Sequence, residues 1–338
     1  MSENFPTTVI LSPVFNDWKA YFLLLGKLDT VLQEKHLTVT VLAINDGSPL
    51  SPEDCVESWG SYSAIQRVEI LHLRQNVGHQ RAISLGLSWL AAQRPEVQEV
   101  VIMDADGEDA PEDVPLLLQR CREEKHRKIV MAIRSKRSET FLFRLCYLIF
   151  RFLFHFLTGK RYQMGNFSVI PRCAMETLVG NSGLWCHYAA TVFRSRCPYV
   201  GVETYRAKRL DGKSQMNFVG LVMHGLSAVS VYLDVASVRM MLLCVWVTLF
   251  LGLGTLGILG VHLFIPLPVP GWIWGLLGWT LVLIVQFFTI ATILTFITLG
   301  NRQSKTFLPI REYPFYIARL QSIVPGQANE KILDEKQG

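Results

Sequence analysis

A mostly parallel α/β sheet domain followed by two membrane-spanning helices is the architecture that this 338-residue sequence predicts. Three observations carry the prediction. Short apolar runs alternate with helix-like segments from Thr8 to Ile133, each run ends in a polar cluster, and the C-terminal third holds two long stretches without a charged side chain. Alternation of strand and helix argues for parallel strands covered by helices, with ligands at the carboxyl ends of the strands.

In order, strands are expected at Thr8 to Ser12, Leu37 to Ile44, Val68 to Leu73, Glu99 to Met103 and Ile129 to Ile133. The first leads into Pro13-Val14-Phe15-Asn16-Asp17, the second into Asn45-Asp46-Gly47-Ser48, and the third into Asn76-Val77-Gly78-His79. Any one of these is an ordinary turn or helix cap by itself. The fourth strand ends in Asp104-Ala105-Asp106-Gly107-Glu108-Asp109. If this run stays extended, Asp104, Asp106 and Glu108 point the same way. Three converging carboxylates repel one another unless a cation sits among them, and hard oxygen ligands suit Mg²⁺ or Mn²⁺ carrying a substrate's phosphates. The competing reading is a helix start, for which Asp109, Pro111 and Glu112 are suited.

Two segments, Met240 to Phe264 and Trp272 to Leu299, contain no Asp, Glu, Lys or Arg. Each exceeds the roughly 20 residues needed to cross a bilayer core. Arg239 precedes the first, while Arg302, Lys305 and Arg311 follow the second. Positive charge inside puts both chain ends in the cytoplasm, with the protein in the cytoplasmic membrane. No signal peptide is legible at the N-terminus. Phe141 to Leu157 is apolar but interrupted by Arg144, Arg151 and His155, which suits a helix lying in the membrane interface. The expected organisation is a catalytic domain over 1–215 that includes this interfacial helix near 141–158, a juxtamembrane helix over 216–236, two spans within 237–300 and a cytoplasmic tail over 301–338.

Seven cysteines without a C-x-x-C pair argue for reduced thiols and against a zinc framework. The formal charge of +5 suits anionic lipid or phosphate, and no basic-aromatic module points to nucleic acid. Gly252, Gly254 and Gly257 match a dinucleotide fingerprint but lie inside the first span, with no strand before them. Gly254, Gly257 and Gly260 instead have a spacing that permits close helix packing and self-association as a homo-oligomer.

The motifs together resemble those of the inverting family-two glycosyltransferases. Val9 to Asp17 is similar to their V-I-P-V-Y-N-E, Ile44 to Pro49 to N-D-G-S, Asn76 to Gly86 to N-x-G-x-x-x-A-x-x-x-G, and Asp104 to Glu112 to D-A-D-x-Q-D-x-P-E. Gly165-Asn166-Phe167 resembles G-D-F, and Arg209 to Ser214 resembles R-x-x-G-x-S. With two C-terminal spans, the layout resembles the polyprenyl-phosphate glycosyltransferases, relatives of dolichol-phosphate mannose synthase.

The resemblance implies a GT-A nucleotide-sugar-binding fold, and transfer of a sugar from a nucleoside diphosphate to polyprenyl phosphate with inversion at the cytoplasmic face. It implies a donor pocket of Pro13, Phe15, Asp17, Asp46, Ser48, Asp104, Arg209 and Ser214. Asp104, Asp106 and Glu108 would hold Mg²⁺ or Mn²⁺, with Asp104, Asp106 and Asn166 in catalysis. Arg134, Arg137 and Lys213 would grip the acceptor phosphate. His79 occupies a position that is commonly basic in relatives. Where many relatives have Asp, this chain has Asn166, and Gln215 stands where Lys is frequent. Two rival readings are a processive polysaccharide synthase, whose Gln-x-x-Arg-Trp motif is missing, and a silent nucleotide-sugar-binding scaffold, against which the intact acidic cluster argues.

Overall fold

The structure, a computed structural model, describes residues 7–55, 60–134, 141–160, 165–212, 218–264, 271–303 and 307–323. The elements run β1 (Thr8–Val14), α1 (Trp18–Glu34), β2 (Val39–Asn45), β3 (Ile65–Leu73), α2 (His79–Gln93), β4 (Glu99–Ile102), α3 (Val114–Glu123), β5 (Ile129–Arg134), α4 (Phe141–Thr158), β6 (Ser168–Pro171), α5 (Arg172–Val179), α6 (Tyr188–Arg194), β7 (Tyr199–Thr204), α7 (Phe218–Ser230), α8 (Leu233–Phe264), α9 (Gly271–Gln303) and β8 (Ile317–Ile323). The chain forms two compact units.

The first unit comprises Met1–Leu145, Gln163–Val231 and Thr306–Gly338. Its eight-stranded sheet has the order β7-β5-β6-β4-β1-β2-β3-β8. β1 pairs in parallel with β2 and β4, β2 with β3, and β5 with β7, whereas β6 and β8 run antiparallel to their neighbours. Successive side chains of one strand feed opposite faces. Val9 and Leu11 pack with Ala82, Ile83 and Leu85 of α2, while Ile10 packs with Leu24 and Leu25 of α1 and Leu117 of α3. Because helices cover both faces, β1 and β2 are buried at every position, which is why they read as mostly apolar runs, broken only by Thr8, Ser12, Thr40 and Asn45.

All five expected strands form, with ends shifted by up to three residues. The segment after the second apolar helix departs from the expected tail: Ile317–Ile323 is the edge strand that pairs with β3, and its residue Gln321 bonds His72 Nε2 at 3.0 Å. The chain thus returns to the sheet and pairs the outer side of β3. Residues after Ile323 lie outside the described part.

The second unit comprises Cys146–Tyr162 and Tyr232–Lys305. α8 and α9 are two helices long and apolar enough to cross a membrane, and they pack along each other. Within this unit Arg239 donates to the Phe156 carbonyl at 3.0 Å, and the Phe154 and Tyr232 rings meet edge to face. On α4, Leu148, Phe152, Leu153 and Phe156 are exposed beside Arg151. A Cβ built on Gly252, Gly254, Gly257 or Gly260 meets nothing within 4 Å, so these glycines do not set the α8 to α9 packing.

Candidate active site

The polar strand ends of β1, β2, β3 and β4 gather at one edge of the sheet because parallel strands deliver their carboxyl ends together. Asp46, directly after β2, is 2% exposed and accepts Val77 N–H at 2.7 Å on one oxygen and Gly78 N–H at 2.9 Å on the other. Burial pushes this carboxyl up from its ordinary range, and those two N–H groups pull it partly back. Asp46 thus braces the loop between β3 and α2. Gly47 shows why the turn is built this way. At φ +67° its Cα passes so close to the β3 loop that a Cβ would stand 2.6 Å from the Asn76 nitrogen.

At the end of β1, Pro13 is buried within the strand and Phe15 is 38% exposed. Ser48 Oγ accepts the Asn16 N–H at 3.0 Å, pinning the β1 and β2 loops together. Asp17 lies at the same edge and binds Arg209 through Oδ1 at 2.8 Å.

The acidic loop is a turn and not an extended strand. Gly107 has φ +78°, and Asp109 Oδ2 folds back to accept the Asp104 N–H at 2.9 Å. The alternation that was to align three carboxylates is lost at Gly107. What organises them is the segment Arg206 to Leu210, laid antiparallel against the loop by Ala207 N–H to Glu108 O and Leu210 N–H to Asp106 O. That pairing places Arg206 on Glu108 and sets Arg209 Nη1 2.8 Å from Asp106 Oδ2. Arg209 therefore joins Asp106 to Asp17, and Glu108 is paired with Arg206.

Asp104 and Asp106 remain as hard oxygen donors. Burial and the neighbouring Asp104 charge raise the Asp106 carboxyl, with Arg209 opposing. Two crowded carboxylates in a partly dry cleft fit a divalent cation, which would relieve the repulsion that raises Asp106. Of the expected trio, Asp104 and Asp106 fit that role.

Beyond Asp104 lies a chain of fixed hydrogen bonds. Tyr188 N–H donates to Gln80 Oε1 at 2.7 Å, Gln80 Nε2 to Asn166 Oδ1 at 3.2 Å, and Asn166 Nδ2 lies 3.0 Å from His79 Nε2. His79 Nε2 is in turn 3.2 Å from Asp104 Oδ1. Partial burial disfavours the His79 charge, but Asp104, Asp109 and Asp106 outweigh it and raise its pKa. Behind this chain, His187 Nε2 and His224 Nε2 meet at 3.2 Å, and burial drives His187 down to about 3.

Gln80, Arg206 and His187 escaped the sequence reading. Gln80 sits inside the N-x-G-x-x-x-A helix but is not one of its fixed letters, and nothing in a single sequence pairs it with residue 166. Arg81 lies over the Trp185 ring at 5.1 Å. Arg134 ends β5 opposite Thr204, and its side chain lies outside the described residues together with Arg137, Lys213 and Ser214.

The sequence profile named glycosyl transferase family 2 matches residues 9–177, half of the chain, from β1 through the acidic loop, Asn166 and β6. The chain belongs to this family. Among curated relatives, undecaprenyl-phosphate 4-deoxy-4-formamido-L-arabinose transferase of Salmonella choleraesuis is 24% identical over 220 residues, covering 63% of each chain. The present chain thus spans 63% of the length of that relative. An uncharacterized glycosyltransferase of Bacillus subtilis is 29% identical over 143 residues, 42% of this chain and 41% of its own. Mannosyl-3-phosphoglycerate synthase from Rubrobacter xylanophilus superposes with a TM-score of 0.46 at 15% identity, covering 67% of this chain and 72% of that one. Glucosyl-3-phosphoglycerate synthase from Mycobacterium tuberculosis, crystallised with Mn²⁺, uridine-diphosphate-glucose and phosphoglyceric acid, has a TM-score of 0.43 at 17% identity over 68% and 80% of the two chains.

Proposed function

We propose that this enzyme transfers a sugar, with inversion, from a nucleoside-diphosphate sugar to polyprenyl phosphate at the cytoplasmic face of the membrane. The observation that carries the reading is Asn166. An amide stands beside His79 and Asp104 where an acceptor that needs deprotonation would want a carboxylate. A phosphate monoester has its second pKa at about 6, so it is largely ionised at neutral pH and needs no base. The undecaprenyl-phosphate transferase named above supports this choice of acceptor.

In this reading the strand ends of β1 and β2 receive the nucleoside part of the donor, with Phe15 offering an exposed ring at the rim. Asp104 and Asp106 would hold Mg²⁺ or Mn²⁺, which supplies positive charge for the departing nucleoside diphosphate. Arg209, already tied to Asp17 and Asp106, adds a fixed cation at the same edge. Asn166 turns its NH₂ toward the cleft and orients an acceptor phosphate oxygen for attack on the anomeric carbon. Arg134, Arg137 and Lys213 are proposed to grip that phosphate. The anomeric C–O bond to the diphosphate breaks as the new one forms, and the electron pair leaves with the diphosphate.

The exposed aromatic face of α4 and the two apolar helices α8 and α9 suit an enzyme whose acceptor is a lipid. In the sequence, Arg239 before the first charge-free stretch and Arg302, Lys305 and Arg311 after the second favour both termini in the cytoplasm. Incubating the purified protein with polyprenyl phosphate, Mg²⁺ or Mn²⁺ and a panel of nucleotide sugars tests the reading by the mass of the lipid product. A lipid heavier by one sugar residue is expected with at least one donor; no glycolipid with any donor, from folded protein, supports the silent scaffold instead.

A further inference from the structure

At the end of β4 away from the catalytic loop, a second group of ligand-type atoms meets. Glu99 opens β4 and is 2% exposed. Its Oε1 accepts Thr8 Oγ1 at 2.8 Å, and Arg122 through Nη2 at 2.8 Å and Nε at 3.3 Å. Its Oε2 is buried, accepts no hydrogen bond among the described residues, and lies 3.4 Å from His126 Nδ1. That nitrogen is 3.7 Å from Cys121 Sγ, and all three ligand atoms fall within 4.8 Å of one another.

We propose that Glu99 Oε2, Cys121 Sγ and His126 Nδ1 form a divalent metal site of the zinc class, distinct from the catalytic carboxylates. Tetrahedral zinc, with Zn–S near 2.3 Å and Zn–N and Zn–O near 2.0–2.1 Å, sets sulfur and nitrogen roughly 3.5 Å apart and nitrogen and oxygen roughly 3.3 Å apart. The observed 3.7 and 3.4 Å lie close to those spacings before any ion is added. Thiolate and imidazole select zinc-like ions over Mg²⁺ and Mn²⁺, so the two sites take different metals. At about 3.3 Å per strand residue, Glu99 and Asp104 are separated by roughly 17 Å.

The backbone presents the ligands deliberately. Lys125 and His126 both adopt left-handed conformations, with φ of 55° and 54°, although neither is glycine. The turn is closed by His126 N–H to Cys121 O at 3.0 Å, which folds the imidazole back over the helix end that carries Cys121. Arg122 and Thr8 fix one oxygen of Glu99 and leave the other directed at the pair, the usual division between a ligand and its orienting neighbours. The His126 side chain is 35% exposed and opens a path for an ion, with water filling the remaining coordination position.

Burial and the Glu99 carboxylate push the Cys121 thiol up to about 12 in the metal-free protein. Coordination reverses that: the S–H bond breaks, sulfur keeps the electron pair as a thiolate ligand, and one proton is released to solvent for each ion bound. Arg122 stays on the far oxygen of Glu99, where it offsets charge and does not compete for the ion.

The test uses the full-length protein in detergent, stripped of metal and titrated with Co²⁺. We expect a single equivalent that produces tetrahedral d–d bands and a thiolate-to-cobalt band in the near ultraviolet, displaced by Zn²⁺. Cys121→Ser should abolish the thiolate band, His126→Gln should weaken binding at least about tenfold, and Asp106→Asn should leave the band intact. The half-exposed position of His126 makes that variant informative even if Cys121→Ser fails to fold. Zn²⁺ should also raise the melting temperature of the wild type and not of His126→Gln. No thiolate band in the wild type, or a band of equal intensity in Cys121→Ser, would overturn the proposal. The readout needs no sugar donor or acceptor, so its failure leaves the transferase reading untouched.

Discussion

Gln80 Nε2 donates to Asn166 Oδ1 across 3.2 Å, and the direction of that bond is dictated from behind. The Tyr188 backbone N–H can only donate, so Gln80 Oε1 must accept it and Gln80 must turn its NH₂ to Asn166. Asn166 is left with its own NH₂ facing His79. When His79 is neutral it accepts that donor; when protonated it turns its Nε2–H to Asp104, and the Asn166 NH₂ is released toward an incoming anion.

The first prediction concerns this relay. Gln80→Glu replaces the donor by a second acceptor, so Asn166 should flip and present its oxygen to the site. Turnover should fall by about tenfold or more, a lost charge-assisted hydrogen bond being worth roughly 1.5–3 kcal/mol. In an Asn166→Ala background the same Gln80→Glu change should cost little further. An undiminished loss there, in a steady-state double-mutant cycle, would show that Gln80 acts only by packing. Asn166→Asp should change the rate by less than about tenfold, because general-base help is typically worth 10²- to 10⁴-fold and an ionised phosphate does not use it.

The fold was legible where both faces of the sheet are covered, since β1, β2 and β4 then read as mostly apolar runs. It was illegible at β8, where Arg319, Gln321 and Ser322 dilute an edge strand that only the return of the chain to β3 explains. The acidic residues were legible as chemistry but not as geometry. Gly107 takes a positive φ and breaks the period of two, and the partners Arg206 and Arg209 arrive about 100 residues later through backbone pairing. Asp46 shows the limit from the other side: its motif singles it out, and the bonds its oxygens accept from Val77 and Gly78 are not written in any spacing.

A second prediction follows from Arg209 sharing Asp106. Asp106→Asn should lower turnover by about 10³-fold with little change in melting temperature, because its carboxylate serves charge and not the core. Arg209→Gln removes the cation that occupies Asp106 Oδ2, so Mn²⁺ should bind more tightly while turnover falls. Mn²⁺ titration followed by electron paramagnetic resonance decides it; weaker Mn²⁺ binding in Arg209→Gln would show that the guanidinium supports the ion and does not compete with it.

Asp46 gives the third. Asp46→Asn keeps the shape but turns one acceptor into a donor facing Val77 or Gly78 N–H, and should destabilise the protein by about 1–3 kcal/mol. The loss should appear as a lower melting temperature in the presence and absence of nucleotide alike. If stability is unchanged and only nucleotide affinity falls, Asp46 belongs to the donor pocket after all.

The fourth concerns acid. The native pKa of His187, about 3, lies below the ordinary 6.5. Between those values the unfolded chain takes up a proton that the native state refuses, so stability rises with pH across that window and is lost as pH falls below about 6.5. The ceiling is about 1.4 kcal/mol per pH unit. His187→Asn, which keeps an acceptor for the Ala190 N–H, should flatten the dependence of melting temperature on pH between about 4 and 6.5. An unchanged slope would place the acid sensitivity elsewhere.

The most direct test of the transfer reaction weighs both products of one incubation. With the active donor, polyprenyl phosphate and metal, the account predicts a lipid heavier by one sugar that retains a single phosphate, and nucleoside diphosphate released in equal amount. Release of nucleoside monophosphate with a sugar phosphate on the lipid, or nucleoside diphosphate with free sugar and no lipid product, would contradict it.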